Sequence, residues 1–357
     1  MRQLAAIFGE SFGDVMEFAV RMLPATGPRP HPYYGIEDAF VNVSFKDELG
    51  ELRRIGVRHK VTGDGPPMVL VHGLMTSSYS WRYVLAPLGR RYRVFAPDLV
   101  GAGLSDKPLD LRYSVDNIAR FLASYVRTVS KEPVYLVGNS LGGLYSLRAL
   151  MQDGPARLDP RRYEGPQSRA HEDVGAPIAR RFVLMHAPGY PLVRTRVLSS
   201  IFHAPALGPA VAEILARTAH RFPEAFVAKN VHYAHTDIMS QEECTEYGRL
   251  FETLEGARVF AKILEESLDP VEHAAIIAEL RRRARSGPRI PCPVKVLYAK
   301  KDVMVPPEFG PRFHEDIPGS ELVWMDDASH FLHVDAPERT VREIMSFDPI
   351  DTVSASA

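Results

Sequence analysis

One short stretch, Gly138-Asn139-Ser140-Leu141-Gly142-Gly143, limits what this chain can fold into more than any other. The apolar run Val134-Tyr135-Leu136-Val137 before it reads as a buried strand, and Leu141 to Met151 after it reads as a helix. A serine on such a sharp strand-to-helix turn needs glycines two residues to either side, because the strained backbone passes too close for side chains. Its hydroxyl then stands at the carboxyl end of a strand, beside the N–H groups and positive dipole end of a helix. Taken alone, the spacing also fits an ordinary Gly-rich, phosphate-binding turn. The flanking strand and helix favour a nucleophile.

Two further pieces follow in the order that a nucleophilic serine requires. Pro293 to Ala299 reads as a strand with Asp302 in the loop beyond it. Glu321 to Met325 reads as another, followed by Asp326-Asp327-Ala328-Ser329-His330-Phe331. Serine at its ordinary pKa is a poor nucleophile, so an imidazole must accept its proton and a carboxylate must fix the imidazole tautomer. Ser140, Asp302 and His330 are the candidates, with Asp327 as the rival acid. Each could otherwise be bland, Asp302 as a solvated neighbour of Lys300 and Lys301, and His330 as a surface histidine. Upstream, the strand Met68 to Val71 runs into His72-Gly73-Leu74-Met75. A backbone N–H at Leu74, with that of Leu141, can bind the anionic oxygen of a tetrahedral intermediate. His72 is expected to shape this loop.

These residues, with Phe95-Ala96-Pro97-Asp98-Leu99-Val100-Gly101-Ala102-Gly103-Leu104-Ser105-Asp106-Lys107-Pro108 and Ser329-His330-Phe331-Leu332-His333, resemble the cap-bearing α/β-hydrolases. The resemblance covers roughly 40–188 and 290–347. It implies a mostly parallel eight-stranded α/β-hydrolase sheet with helices on both faces and an inserted helical cap. In the family's His-x-x-His pair the first histidine is catalytic, so the role falls to His330 with His333 second. Asp98 matches a position that braces the active-site loop. Departures narrow the chemistry. Haloalkane dehalogenases and epoxide hydrolases carry aspartate at the elbow, where this chain has Ser140. Some relatives take the triad acid from the end of the next strand, but here Arg181 to Met185 ends in His186-Ala187-Pro188-Gly189. The Gly-Asn-Ser elbow resembles the meta-cleavage carbon–carbon hydrolases, although the loop after His72 lacks their run of glycines.

The rest of the chain fits that frame. Apolar residues form 45% of the 357 and charged residues 24%, enough for a core plus an inserted domain. A net charge of −1 makes no electrostatic case for nucleic acid or an anionic membrane. Cys244 and Cys292 offer neither a disulfide framework nor metal spacing, so a cytoplasmic setting is expected. Residues 1–35 read as an amphipathic helix and a Pro-rich linker, docked on the protein or on a second subunit of a homodimer; its acidic residues argue against a membrane span. Residues 36–190 and 286–350 form the core, 191–285 the cap and 351–357 a tail. Residues 153–180 read as a surface insertion. His232 and His235 in the cap invite a metal reading, but no supporting carboxylate completes it.

The expected protein is a serine hydrolase, without cofactor or metal, that cleaves a carboxylic ester or related acyl compound of small size. Met75, His186, Leu250 and Phe251 are expected to line the substrate pocket, with Phe260 a further candidate. The alternatives are carbon–carbon hydrolysis with the same triad, and a non-catalytic binding protein on the same fold.

Overall fold

The computed structural model describes residues 29–153, 177–205, 207–234 and 239–348. The N-terminal helix expected over 2–23, most of the 153–180 insertion, His235 and the tail lie outside the described residues.

Eight strands form one sheet: β1 (Glu37–Lys46), β2 (Leu52–Thr62), β3 (Pro67–Val71), β4 (Arg93–Pro97), β5 (Val134–Asn139), β6 (Ala179–Met185), β7 (Val294–Ala299) and β8 (Glu321–Met325). Their order is β1-β2-β4-β3-β5-β6-β7-β8. β2 is antiparallel to both β1 and β4, and every pairing from β4 to β8 is parallel. The β1–β2 turn is set by Asp47, whose Oδ1 accepts the N–H groups of Leu49 and Glu51 at 3.0 and 2.9 Å. Every residue of β5 and β7 is buried, as expected for strands covered on both faces.

Helices α1 (Leu85–Gly89), α2 (Val115–Val129) and α3 (Leu141–Gln152) fill the crossovers. Ser114 caps α2 by accepting the Asn117 N–H. The helix expected over 78–89 forms in two pieces, a 3-10 turn (Ser78–Trp81) and α1. Between them Arg82 is fully buried against the Tyr79 and Tyr83 rings and paired with Glu243, so packing overrides helical periodicity here.

Between β6 and β7 the chain is helical: α4 (Val193–Phe202), α5 (Gly208–Arg221), α6 (Pro223–Asn230), α7 (Gln241–Gly248), α8 (Leu254–Glu266) and α9 (Pro270–Ser286). The single helix expected over 241–254 is instead α7, a 3-10 turn and the start of α8. Thr253 breaks it by accepting the Gly256 N–H as the cap of α8. After β7 come α10 (Phe309–Asp316) and, following β8, α11 (Leu332–Asp335) and α12 (Pro337–Ser346). No helix among the described residues is long and apolar enough to cross a membrane.

The strand order decides where ligands meet the fold. β3 lies between β4 and β5, so the chain leaves it in one direction and returns on the other side. That reversal opens a crevice at the carboxyl ends of β3 and β5. Moving outward, β6, β7 and β8 deliver their own end loops to the same edge.

Candidate active site

Register brings the candidate residues together. Val71 pairs with Gly138, Asn139 with Met185, Met185 with Leu297, and Ala299 with Met325. Hence the loops that carry His72, Ser140, His186, Asp302 and His330 emerge side by side from five adjacent strands.

Ser140 occupies the turn between β5 and α3 with φ 56° and ψ −129°, a conformation that non-glycine residues rarely adopt. The surrounding glycines are there because backbone fills the space. A Cβ on Gly138 would lie 2.6 Å from the Gly142 carbonyl oxygen, and one on Gly142 would lie 2.3 Å from that of His72. Gly73 belongs to the same arrangement, since its Cβ would stand 2.8 Å from Ser140 Cβ. The loop after β3 therefore passes directly over the serine. Neither the Leu74 nor the Leu141 amide donates a hydrogen bond among the described residues, so both remain available to a ligand oxygen. Ser140 Oγ likewise forms no hydrogen bond among them; contacts of this kind commonly close only around a substrate.

His72 holds the loop rather than reacting. Its Nδ1 lies 2.8 Å from the Gly73 carbonyl, and its Nε2 accepts the Leu99 N–H at 2.9 Å. Burial keeps the imidazole below its ordinary pKa and hence neutral. Asp98 braces the neighbouring turns by accepting the N–H groups of Ser78 (2.8 Å) and Leu104 (2.9 Å).

Asp302 and His330 are joined, with Nδ1 donating to Oδ2 at 2.8 Å. The other carboxylate oxygen accepts the N–H groups of Met304 (2.7 Å) and Val305 (2.9 Å). Burial alone would raise the Asp302 carboxyl; the charge of His330 and the contacts with His186 and His330 outweigh it and hold the group far below the usual carboxylate range. The rivals lie elsewhere. Asp327 pairs with Arg339 at the surface at 2.8 Å, and His333 is stacked on Trp81 at 4.1 Å with neither ring nitrogen hydrogen-bonded.

His186 requires a correction. Instead of lining the cavity beside the β3 loop, it is fully buried, with Nδ1 2.6 Å from Asp302 Oδ2. The residue type at that strand end was visible in the sequence. Its partner was not, because the contact depends on β6 and β7 being neighbours. Donor atoms of His186, Asp302 and His330 lie within 4.8 Å of one another, the one grouping of metal-ligating type among the described residues. In the arrangement seen, both imidazole Nδ1 atoms face the carboxylate.

A small cavity of about 30 Å³ opens between the β3 loop and the helical insertion. Met75 and Leu250 line it, with Phe260, Ile263, Leu74 and Tyr145. Phe251 does not; it is fully buried inside the insertion against Phe226 and Phe260. Polar atoms on the walls are engaged elsewhere: Tyr145 donates to Ser267 Oγ at 2.7 Å and Tyr113 to the Pro108 carbonyl at 3.0 Å. What remains is an apolar surface beside Ser140.

Comparison with known proteins agrees with this architecture. Residues 68–343 match the model of the alpha/beta hydrolase family. The chain is 27% identical to haloalkane dehalogenase 2 of Mycobacterium tuberculosis over 286 residues, 79% of this chain and 88% of that one. It is 42% identical to 2-hydroxy-6-oxo-2,4-heptadienoate hydrolase of Pseudomonas putida over a shorter stretch of 88 residues, 24% of this chain and 32% of the relative. The esterase RhEst1 of Rhodococcus sp. superimposes with a TM-score of 0.55 at 23% identity, covering 86% of this chain and 98% of that one. With its family model spanning most of the chain and its eight-stranded sheet in this order, the protein belongs to the α/β-hydrolase family and is a hydrolase of that family.

Proposed function

We propose that the protein hydrolyses a carboxylic ester or related acyl compound through an acyl-enzyme on Ser140. The observation that carries this reading is a hydroxyl, not a carboxylate, on the strained β5–α3 turn, beside two uncommitted amides and at the same sheet edge as the Asp302–His330 pair. A carboxylate at the turn would form an alkyl-enzyme ester and suit epoxide or haloalkane chemistry; serine forms an acyl-enzyme. In the proposed cycle His330 takes the Ser140 proton as Oγ attacks the carbonyl carbon. The Leu74 and Leu141 N–H groups stabilise the resulting oxyanion, and His330 then protonates the departing alcohol oxygen. Water enters, gives its proton to His330, attacks the acyl carbon and releases the acid and free Ser140.

The apolar cavity supports an uncharged acyl or alkyl group as the part of the substrate held there. Its volume is close to that of one or two waters, so Leu250, Phe260 and Ile263 must yield to admit a chain. The helical insertion thereby becomes the element that selects substrate.

A second reading, cleavage of a carbon–carbon bond in a vinylogous diketone, is favoured by the 42% identical stretch shared with the heptadienoate hydrolase. The same serine and histidine would act, with a carbanion leaving. Reaction with a fluorophosphonate, followed by turnover of a nitrophenyl ester series, tests the main reading. Labelling that disappears in Ser140→Ala, with ester turnover, supports it. A kcat/KM for a meta-cleavage diketone far above that of any ester reverses the ranking.

A further inference from the structure

His186 is a buried titratable group in contact with the Asp302–His330 pair for which the proposed cycle has no use. It follows β6 with φ 45°, a left-handed backbone that costs a non-glycine residue energy, and it is fully buried. Both ring nitrogens have a place. Nε2 accepts the Ala299 N–H at 3.3 Å, and Nδ1 lies 2.6 Å from Asp302 Oδ2. Two lone pairs at that separation would repel, so Nδ1 carries the proton. The approach is bent rather than collinear, which makes it a short electrostatic contact more than a straight hydrogen bond. The Tyr298 ring packs 4.9 Å from the His186 ring, and its hydroxyl donates to the Ala187 carbonyl at 2.7 Å, fixing the turn.

We propose that His186 is a positioning residue for the reaction at Ser140: it contacts the same Asp302 carboxylate oxygen as His330 and shares its charge, thereby tuning His330 as a base. The inference rests on the triad reading. Asp302 Oδ2 serves two imidazoles at once, and Oδ1 is held by the Met304 and Val305 amides. Three hydrogen bonds and the short His186 contact together hold the carboxylate against His330. Each donor also withdraws negative charge that would otherwise stabilise protonated His330. Removing the His186 N–H leaves that charge to His330 alone, which then holds its proton to higher pH. The other titratable groups facing His186 are His330, with ring centroids 5.4 Å apart, Tyr298, Asp335 and, more remotely, His333, while His232 faces His330 and Arg194 faces Asp302 from the helical insertion. Neutral His186 follows from its burial, which keeps it below its ordinary pKa despite Asp302.

The test is the pH dependence of fluorophosphonate labelling at Ser140, which needs no knowledge of the natural substrate. His186→Leu is expected to slow labelling by roughly tenfold and to move the acid limb of the profile up by about half a unit to one unit. His186→Asn, which tolerates a left-handed backbone and presents an amide N–H near the position of Nδ1, is expected to restore the wild-type limb. A slower His186→Leu with the limb unmoved overturns the proposal and makes His186 a packing residue. Absence of labelling in the wild type would instead overturn the triad reading itself. If His186→Leu does not fold, nitrogen NMR of the wild type decides, with His186→Asn identifying the signal. Protonated Nδ1 and bare Nε2 at neutral pH support the proposal, and the opposite tautomer contradicts it.

Discussion

At the scale of single residues, the site is a set of close approaches. Gly73 is the clearest, because a methyl group there would meet Ser140 Cβ at 2.8 Å and the Asn139 carbonyl at 3.2 Å. Gly73→Ala is expected to reduce the labelling rate of Ser140 about a hundredfold through misplacement of the loop and its Leu74 amide, while Tm changes by a few degrees at most. Equal loss of Tm and labelling would mean that the loop merely fails to fold. Asp302→Asn should lower kcat by about 10⁴, since the imidazole would then favour the wrong tautomer, whereas Asp327→Asn should leave steady-state rates unchanged. The reverse outcome would move the acid to Asp327. The positions of Ser140, Asp302 and His330 at neighbouring strand ends could be read from the chain, because each follows a recognisable strand. His186 could not, since nothing local to it records that Asp302 will lie one strand away.

Individual elements show where periodicity stops being a guide. The helical insertion was legible as a loss of strand rhythm after Pro191, but its internal breaks were not. The division between α7 and α8 follows from Thr253 and from Gly256, where a Cβ would sit 2.2 Å from the Leu250 carbonyl. α7 also carries Glu243, which closes its own capping box through the Ser240 hydroxyl and reaches down to Arg82 of the core. Both members of that pair are fully buried, so removing one leaves an uncompensated charge. Glu243→Ala is expected to cost about 3–5 kcal/mol in denaturant unfolding, and Arg82→Met with Glu243→Leu should recover most of it. A loss under 1 kcal/mol in the single variant would show that water reaches the pair. In the same insertion, Leu250→Ala should enlarge the apolar cavity and shift preference in a nitrophenyl ester series toward longer acyl chains, each accommodated methylene contributing about 0.8 kcal/mol. An unchanged chain-length profile with lowered Tm would assign Leu250 to packing alone.

For the molecule as a whole, the alternation of strands and helices was sufficient to anticipate the sheet, because strands buried on both faces read as unbroken apolar runs. The polar interior left less trace. His59, His72, His186, His273 and His333 are all buried, and burial is the largest cause holding each below its ordinary value, His59 to about 4. Their folded pKa values lie below the unfolded value near 6.5, so the stability they contribute is complete above that pH. It declines as pH falls, because the unfolded chain takes up protons that the fold refuses. Each contributes a slope of up to about 1.4 kcal/mol per pH unit. Thermal denaturation should therefore show Tm constant above pH 7 and falling steeply from pH 6.5 to 5; a flat profile over that interval would contradict neutral burial of these rings. The proposed chemistry at Ser140 is covalent. Acid quenching during turnover of a short-chain nitrophenyl ester, followed by peptide mass spectrometry, should find the acyl group on the peptide containing Ser140 and lose it in Ser140→Ala. Undiminished ester hydrolysis in Ser140→Ala, or an acyl group trapped on any other residue, would contradict it.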